Sequence, residues 1–221
     1  MRTITTVISA LMLFTFIGCG NQGKSTRQSP GSPTTRSVPK VDLHSAVVTG
    51  NLEAIRQHIK SGSDLNVLEP SRASTPLITA AALGNTEAAK ILIDAGADLN
   101  YQNVDGSTAL HTAAAFGRTE VAIILIDAGA DLNYQNNDGS TALHTAAFLC
   151  RVEIVEALLE KGADKTIKNK AGKTAFEIVE PPFEDVKGVY DAIGAGLKPL
   201  GIKLDYDYIK TTRPKIAEML K

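Results

Sequence analysis

Residues 106–117 read Gly106-Ser107-Thr108-Ala109-Leu110-His111-Thr112-Ala113-Ala114-Ala115-Phe116-Gly117, and this run decides the fold. Asp105-Gly106, just ahead of it, signals a hairpin tip. Thr108 is an N-cap candidate, because its hydroxyl can satisfy a free N–H at a helix start. A short Ala-rich helix then spans 109–116, and its small side chains let neighbouring units approach closely. Gly117 ends it as a left-handed C-cap. Thr119-Glu120 opens a second helix, with the carboxylate near the positive end of the dipole. Val121, Ile124 and Leu125 fall on one face of that helix, and Gly129 terminates it.

The unit recurs. Thr75-Pro76-Leu77, Thr108-Ala109-Leu110-His111, Thr141-Ala142-Leu143-His144 and Thr174-Ala175-Phe176 stand 33 residues apart. Gly96-Ala97-Asp98-Leu99-Asn100 returns as Gly129-Ala130-Asp131-Leu132-Asn133 and, more loosely, as Gly162-Ala163-Asp164. An earlier copy runs from Asp42-Leu43-His44-Ser45-Ala46 to Gly62-Ser63-Asp64-Leu65-Asn66, and the loop after it is one residue longer. This period and these motifs resemble the ankyrin repeat over residues 41–193. The resemblance implies an all-α solenoid of helix-turn-helix pairs joined by β-hairpin loops, with four repeats and a degenerate fifth as a C-terminal cap. No unit buries its apolar face alone, and at least about three must stack. The expected division is a repeat domain over 41–196 and a capping tail over 197–221.

The two ends depart from the pattern. The first copy carries Arg56, Gln57, His58 and Lys60 on its second helix, which suits a repeat facing solvent, with His58 on the surface. At the other end, Glu180-Pro181-Pro182 blocks further helix. Residues 185–193 are expected to supply the missing second helix. Residues 197–207 read as irregular, and Pro214 reads as the start of a last helix. Cys150 stands where Gly84 and Gly117 end the first helix in other copies. A non-glycine residue there takes a left-handed conformation at a cost, or the helix ends differently.

The chain opens on a different composition. Arg2 precedes an apolar run from Val7 to Ile17, too short to span a bilayer comfortably and suited to a signal peptide over 1–18. Gly18-Cys19 resembles the lipobox of bacterial lipoproteins, with Phe16 where that family usually has Leu. The resemblance implies that Cys19 becomes the lipid-bearing N-terminus. Gly20 lacks the Asp that typically retains such proteins in an inner membrane, which points to an outer membrane and a periplasmic face, with secretion as the alternative. Residues 19–40 are Ser, Thr, Pro and Gly rich and read as a disordered tether.

Chemistry is scarce. The 221 residues carry a formal net charge of −1, with no long basic run for nucleic acid. Two cysteines exclude a disulfide-stapled fold and make a zinc site a poor fit. Gly18-Cys19-Gly20-Asn21-Gln22-Gly23-Lys24-Ser25 matches the phosphate-loop pattern. It leads into Pro/Ser/Gly-rich sequence instead of a helix, so nucleotide binding is not expected. The resemblance makes His111 and His144 structural links between repeats. Ile78 at an equivalent position supports packing over chemistry. Asp98, Asp131 and Asp164 read as loop-closing side chains. No catalytic residue, metal or cofactor is expected.

The resemblance implies a concave face of hairpin tips and first helices that binds a protein partner, in a monomeric chain. Tip candidates are Tyr101, Gln102, Asn103, Val104 and Asp105, then Tyr134, Gln135, Asn136, Asn137 and Asp138. First-helix candidates are Ala82, Leu83, Ala115, Phe116, Phe148 and Leu149. Tyr101 and Tyr134 either anchor the partner or pack between the tips. A structural spacer at the envelope and an enzyme of unrecognised type are the alternatives.

Overall fold

The computed structural model describes residues 39–197 and 203–221. Among the described residues are eleven α-helices and no strand. Four helix pairs come first: α1 (Leu43–Val48) with α2 (Leu52–Ser61), α3 (Pro76–Leu83) with α4 (Thr86–Asp94), α5 (Ala109–Phe116) with α6 (Thr119–Asp127), and α7 (Ala142–Phe148) with α8 (Val152–Glu160). Then come α9 (Ala175–Val179), α10 (Phe183–Leu197) and α11 (Tyr206–Leu220). First helices stack in one layer, α1 to α9, and second helices α2, α4, α6 and α8 in another.

The core repeats with the sequence. Leu77, Leu110 and Leu143 are fully buried in the first-helix layer, and Leu92, Leu125 and Leu158 in the second. Between the first helices lie Ala80, Ala81, Ala113, Ala114, Ala146 and Ala147, all without solvent exposure. Alanine is selected here by space and by helix propensity together. Thr75, Thr141 and Thr174 cap their helices by accepting from the backbone N–H three residues on.

Gly84 shows why this position is small where an arginine follows in the next unit. It takes φ +74°, and a Cβ there would stand 2.8 Å from Cδ of Arg118. Arg118 crosses it to donate from Nε to the Ala82 carbonyl at 3.1 Å. Arg151 crosses Gly117 in the same way, and its Nη2 donates to Ala115 O at 3.3 Å. Cys150 occupies the next equivalent place at φ 57°, so the left-handed conformation is kept without glycine. What lies against it is α11: the Cys150 Sγ is 3.9 Å from the Ile209 carbonyl.

The C-terminal unit is built otherwise than expected. α11, not the segment 185–193, takes the second-helix place, packing on α9 and α8. The Glu180-Pro181-Pro182 turn sends the chain into α10 first, and α10 packs on α11. Ile209, Ile216 and Leu220 form the buried stripe that makes α11 the better filler. Pro214 lies inside α11 and does not start it; Asp205 is the N-cap, accepting from Tyr208 N at 2.9 Å. Pro214 and Lys210 both face solvent. The Lys210 carbonyl freed by the missing N–H is therefore on the water side. The expected boundary at 197 thus falls between two helices that pack together.

Candidate partner-binding surface

Each unit projects a finger between its predecessor's second helix and its own first helix. The expected β-hairpins are single rungs: Asn103 N to Ser107 O at 3.1 Å, Asn136 N to Ser140 O at 3.0 Å, and Asn169 N to Lys173 O at 2.9 Å. One rung is too short for a ladder, which is why no strand forms among the described residues. The turn is closed by the asparagine side chain. Asn103 Oδ1 accepts from Asp105 N and Ser107 N, each at 3.0 Å, and Asn136 and Asn169 repeat the arrangement. In the longer first loop Glu69 takes this role with its longer side chain, accepting from Arg72 N and Ser74 N.

Fingers are tied to one another in register. Val104 N donates to Arg72 O at 3.0 Å, Asn137 N to Asp105 O at 3.0 Å, and Lys170 N to Asp138 O at 2.8 Å. Arg72 and Asp105 form an ion pair across the first of these rungs. At the base, Asn66, Asn100 and Asn133 accept from the backbone N–H of Asp98, Asp131 and Asp164 in the next unit. Asp98, Asp131 and Asp164 in turn close their own loops on residues two further along.

The histidines connect successive units. Thr108 N donates to His111 Nδ1, so that nitrogen carries no proton, and Nε2 donates to the Ser140 carbonyl at 2.9 Å. His144 does the same to Lys173 O at 3.1 Å, and His44 Nε2 lies 2.9 Å from Val67 O. Burial pushes His111 down to about 4 and lowers His144 as well. Neutral imidazole fits both hydrogen bonds; the cation would face the Thr108 donor with a second donor. His58, expected on the surface, is buried between Ser63 Oγ and the Val41 carbonyl, where it fastens the chain entry to α2.

A family model described as ankyrin repeats (3 copies) matches residues 43–136 and 95–169, which together span more than half of the sequence. The chain belongs to the ankyrin-repeat family. No curated protein matches it. Ankyrin repeats generally mediate protein–protein interaction, so the fold is that of a binding module.

Several expected contact residues are committed inside the ankyrin fingers. Gln102 and Gln135 donate to Gly106 O and Gly139 O, and Asn137 Nδ2 donates to Val104 O. Asn103 and Asn136 close turns, as above. Tyr101, Asp105, Ala115, Phe116, Tyr134 and Asp138 are partly exposed. Among the described residues Val104 is the most open large apolar side chain, 56% exposed, and Leu83 at the end of α3 is 38% exposed. Val48 at the end of α1 and Leu68 in the first finger are exposed too, and were not expected.

Phe148 and Leu149 are not on an open surface. The Phe148 ring stacks on Tyr190 at 5.0 Å between centroids, and its carbonyl accepts from the Tyr190 hydroxyl at 2.6 Å. Leu149 is 6% exposed. The fourth ankyrin unit therefore loses its share of first-helix surface to the C-terminal helices. Cys150 is covered as well: Tyr208 donates to its carbonyl at 3.2 Å, and burial raises its thiol to about 11. Among the described residues no His/Cys/Asp/Glu group could hold a metal, and no helix is long and apolar enough to cross a membrane. Cys19 and the phosphate-loop-like run 18–25 lie outside the described residues.

Proposed function

We propose that this ankyrin chain is a non-catalytic module that takes a protein partner along the concave edge of its second and third units. It is held at a membrane by lipid on Cys19. The observation that carries the binding site is Val104, a bulky apolar side chain 56% exposed at a finger whose Gln102 and Asn103 side chains are already bonded within it. Apolar side chains on a rigid frame are what a partner can cover at little ordering cost. Leu83, Tyr101, Ala115, Phe116 and Tyr134 extend the same flank.

The test is recovery of a partner from membrane extract by the wild-type chain and by a variant carrying Val104→Asp. A second variant replaces Tyr101, Phe116 and Tyr134 with Ala. A specific band lost in both, with the helical spectrum unchanged, supports the site. Equal recovery by all three chains overturns it, and no band at all favours a structural spacer.

The anchor rests on the Gly18-Cys19 motif and the apolar run before it. Two or more acyl chains would hold the protein stably at the membrane, and the following Ser/Thr/Pro-rich stretch would let the stack stand off from it. Outer-membrane attachment facing the periplasm fits Gly20. Metabolic acyl labelling of wild type against Cys19→Ser decides this; equal labelling rules lipidation out.

A further inference from the structure

The fourth finger differs from its neighbours in charge. The inter-finger rungs place Val104, Asn137 and Lys170 at equivalent points along one edge. Around Lys170 stand Lys165, Lys168 and Lys173, and all four lysines are exposed. The preceding fingers, 98–107 and 131–140, contain no lysine or arginine. Elsewhere Lys161, Lys187, Lys210 and Lys221 each lie within ion-pair distance of a carboxylate. Among the described residues none of the finger's four lysines does. Glu177 on α9 faces the group, but its Oε2 accepts from Thr174 N at 2.8 Å as part of a capping box. That bond, and then Lys168 and Lys173, hold its pKa low.

We propose that this lysine finger receives the acidic end of an extended partner segment whose apolar end lies over Val104 and Leu83. The proposal rests on the concave-edge reading above and adds the chemistry of the partner. One edge runs from the apolar Val104, past two fingers whose charged residues are all aspartates, to a finger with four lysines and one aspartate, so it complements a segment that is apolar at one end and acidic at the other. Lysines on flexible stems suit carboxylates spread along a chain, where planar bidentate recognition would call for arginine. A lipid surface is the weaker fit, because no exposed bulky apolar side chain is interleaved with the lysines to enter it. Single-stranded nucleic acid is weaker still, since no aromatic stands in the finger for bases to stack on.

The experiment uses the full chain and two fluorescent peptides of one composition: a Leu/Val run followed by a Glu run, and its scramble. The block peptide should bind more tightly than the scramble, with affinity falling as salt rises. Replacing Lys165, Lys168, Lys170 and Lys173 with Gln should weaken it about tenfold, the sum of several exposed charge pairs. Replacing the exposed Lys60, Lys90 and Lys215 with Gln should leave it unchanged. Equal loss in both sets, or no preference over the scramble, overturns the proposal. Binding of phosphatidylserine vesicles, lost in the first set while the peptide is ignored, overturns it in favour of a membrane. If Val104→Asp still abolishes partner recovery while the lysine set has no effect, the concave edge stands and only the acidic specificity falls.

Discussion

Arg213 donates from Nη1 to the Tyr190 hydroxyl at 2.8 Å, and the same hydroxyl donates onward to the Phe148 carbonyl at 2.6 Å. The guanidinium is 2% exposed, and its Nη2 reaches the carbonyls of Ile178 and Pro181. One side chain thus joins α11 to α10, α9 and the Pro-Pro turn, and through Tyr190 to α7, with no carboxylate accepting from it among the described residues.

Removing that node should loosen the cap. Arg213→Ala leaves the part-buried Ile178 and Pro181 carbonyls without that donor and is expected to cost roughly 1–3 kcal/mol. Tyr190→Phe strands Arg213 Nη1 and the Phe148 carbonyl and should cost about 1–3 kcal/mol. Urea denaturation checks both. In addition, Arg213→Ala should raise exchange of amides in α10 and α11 ahead of those in α3 to α6.

Stability should fall with acid through the histidines. His111 has a folded pKa of about 4 against an ordinary 6.5, so the unfolded chain binds the extra proton first. The stabilisation is present above the unfolded value and is lost as pH falls from 6.5 towards 4. Its full size is roughly 3 kcal/mol. His144 is shifted in the same direction and adds to the slope. Urea midpoints measured across this range should decline in wild type and flatten in a His111→Gln/His144→Gln double variant.

Gly84→Ala should destabilise by two separable effects. The left-handed φ of +74° alone costs an L-residue about 1–2 kcal/mol. The Cβ also meets the Arg118 side chain at 2.8 Å. A double-mutant cycle with Arg118→Ala should recover the steric part and leave the backbone part. A purely additive cycle would count against the crossing arginine.

The Cys150 thiol should be silent in the folded chain. Its thiolate is disfavoured by burial, and α11 lies over it, with Sγ 3.9 Å from the Ile209 carbonyl. In a Cys19→Ser variant, a thiol-specific chromogenic reagent should label Cys150 only after denaturant is added. Rapid labelling in buffer would show that α11 leaves its place.

The middle of this molecule was legible because its determinants are local. Thr108, Gly117 and Gly129 each act on residues within one turn, so α5 and α6 end where the letters say they end. The cap was not legible in the same way. That α11 would take the second-helix place depends on which of two apolar segments can reach α8 and α9, a property of distance in space. Pro214 misled for a related reason: proline starts helices more often than it interrupts them, and here water can take the carbonyl that its missing N–H leaves free. Phe148 and Leu149 match Ala115 and Phe116 by register; only the tertiary path of α10 and α11 sets them apart. The lysines of the fourth finger could be read directly, but a charged last repeat passes easily for a solubilising end.

The asparagine relay at the base of the fingers has one more implication. Because Asn100 and Asn133 hold the following unit by the same bond, deleting residues 101–133 would join Asn100 to Tyr134 and present Asn100 to Asp164 in place of Asn133. Duplicating that block would likewise regenerate each junction. The array can therefore lengthen or shorten from within by whole blocks, while its far terminus, pinned by Arg213 and Tyr190, travels unchanged as a single closing piece.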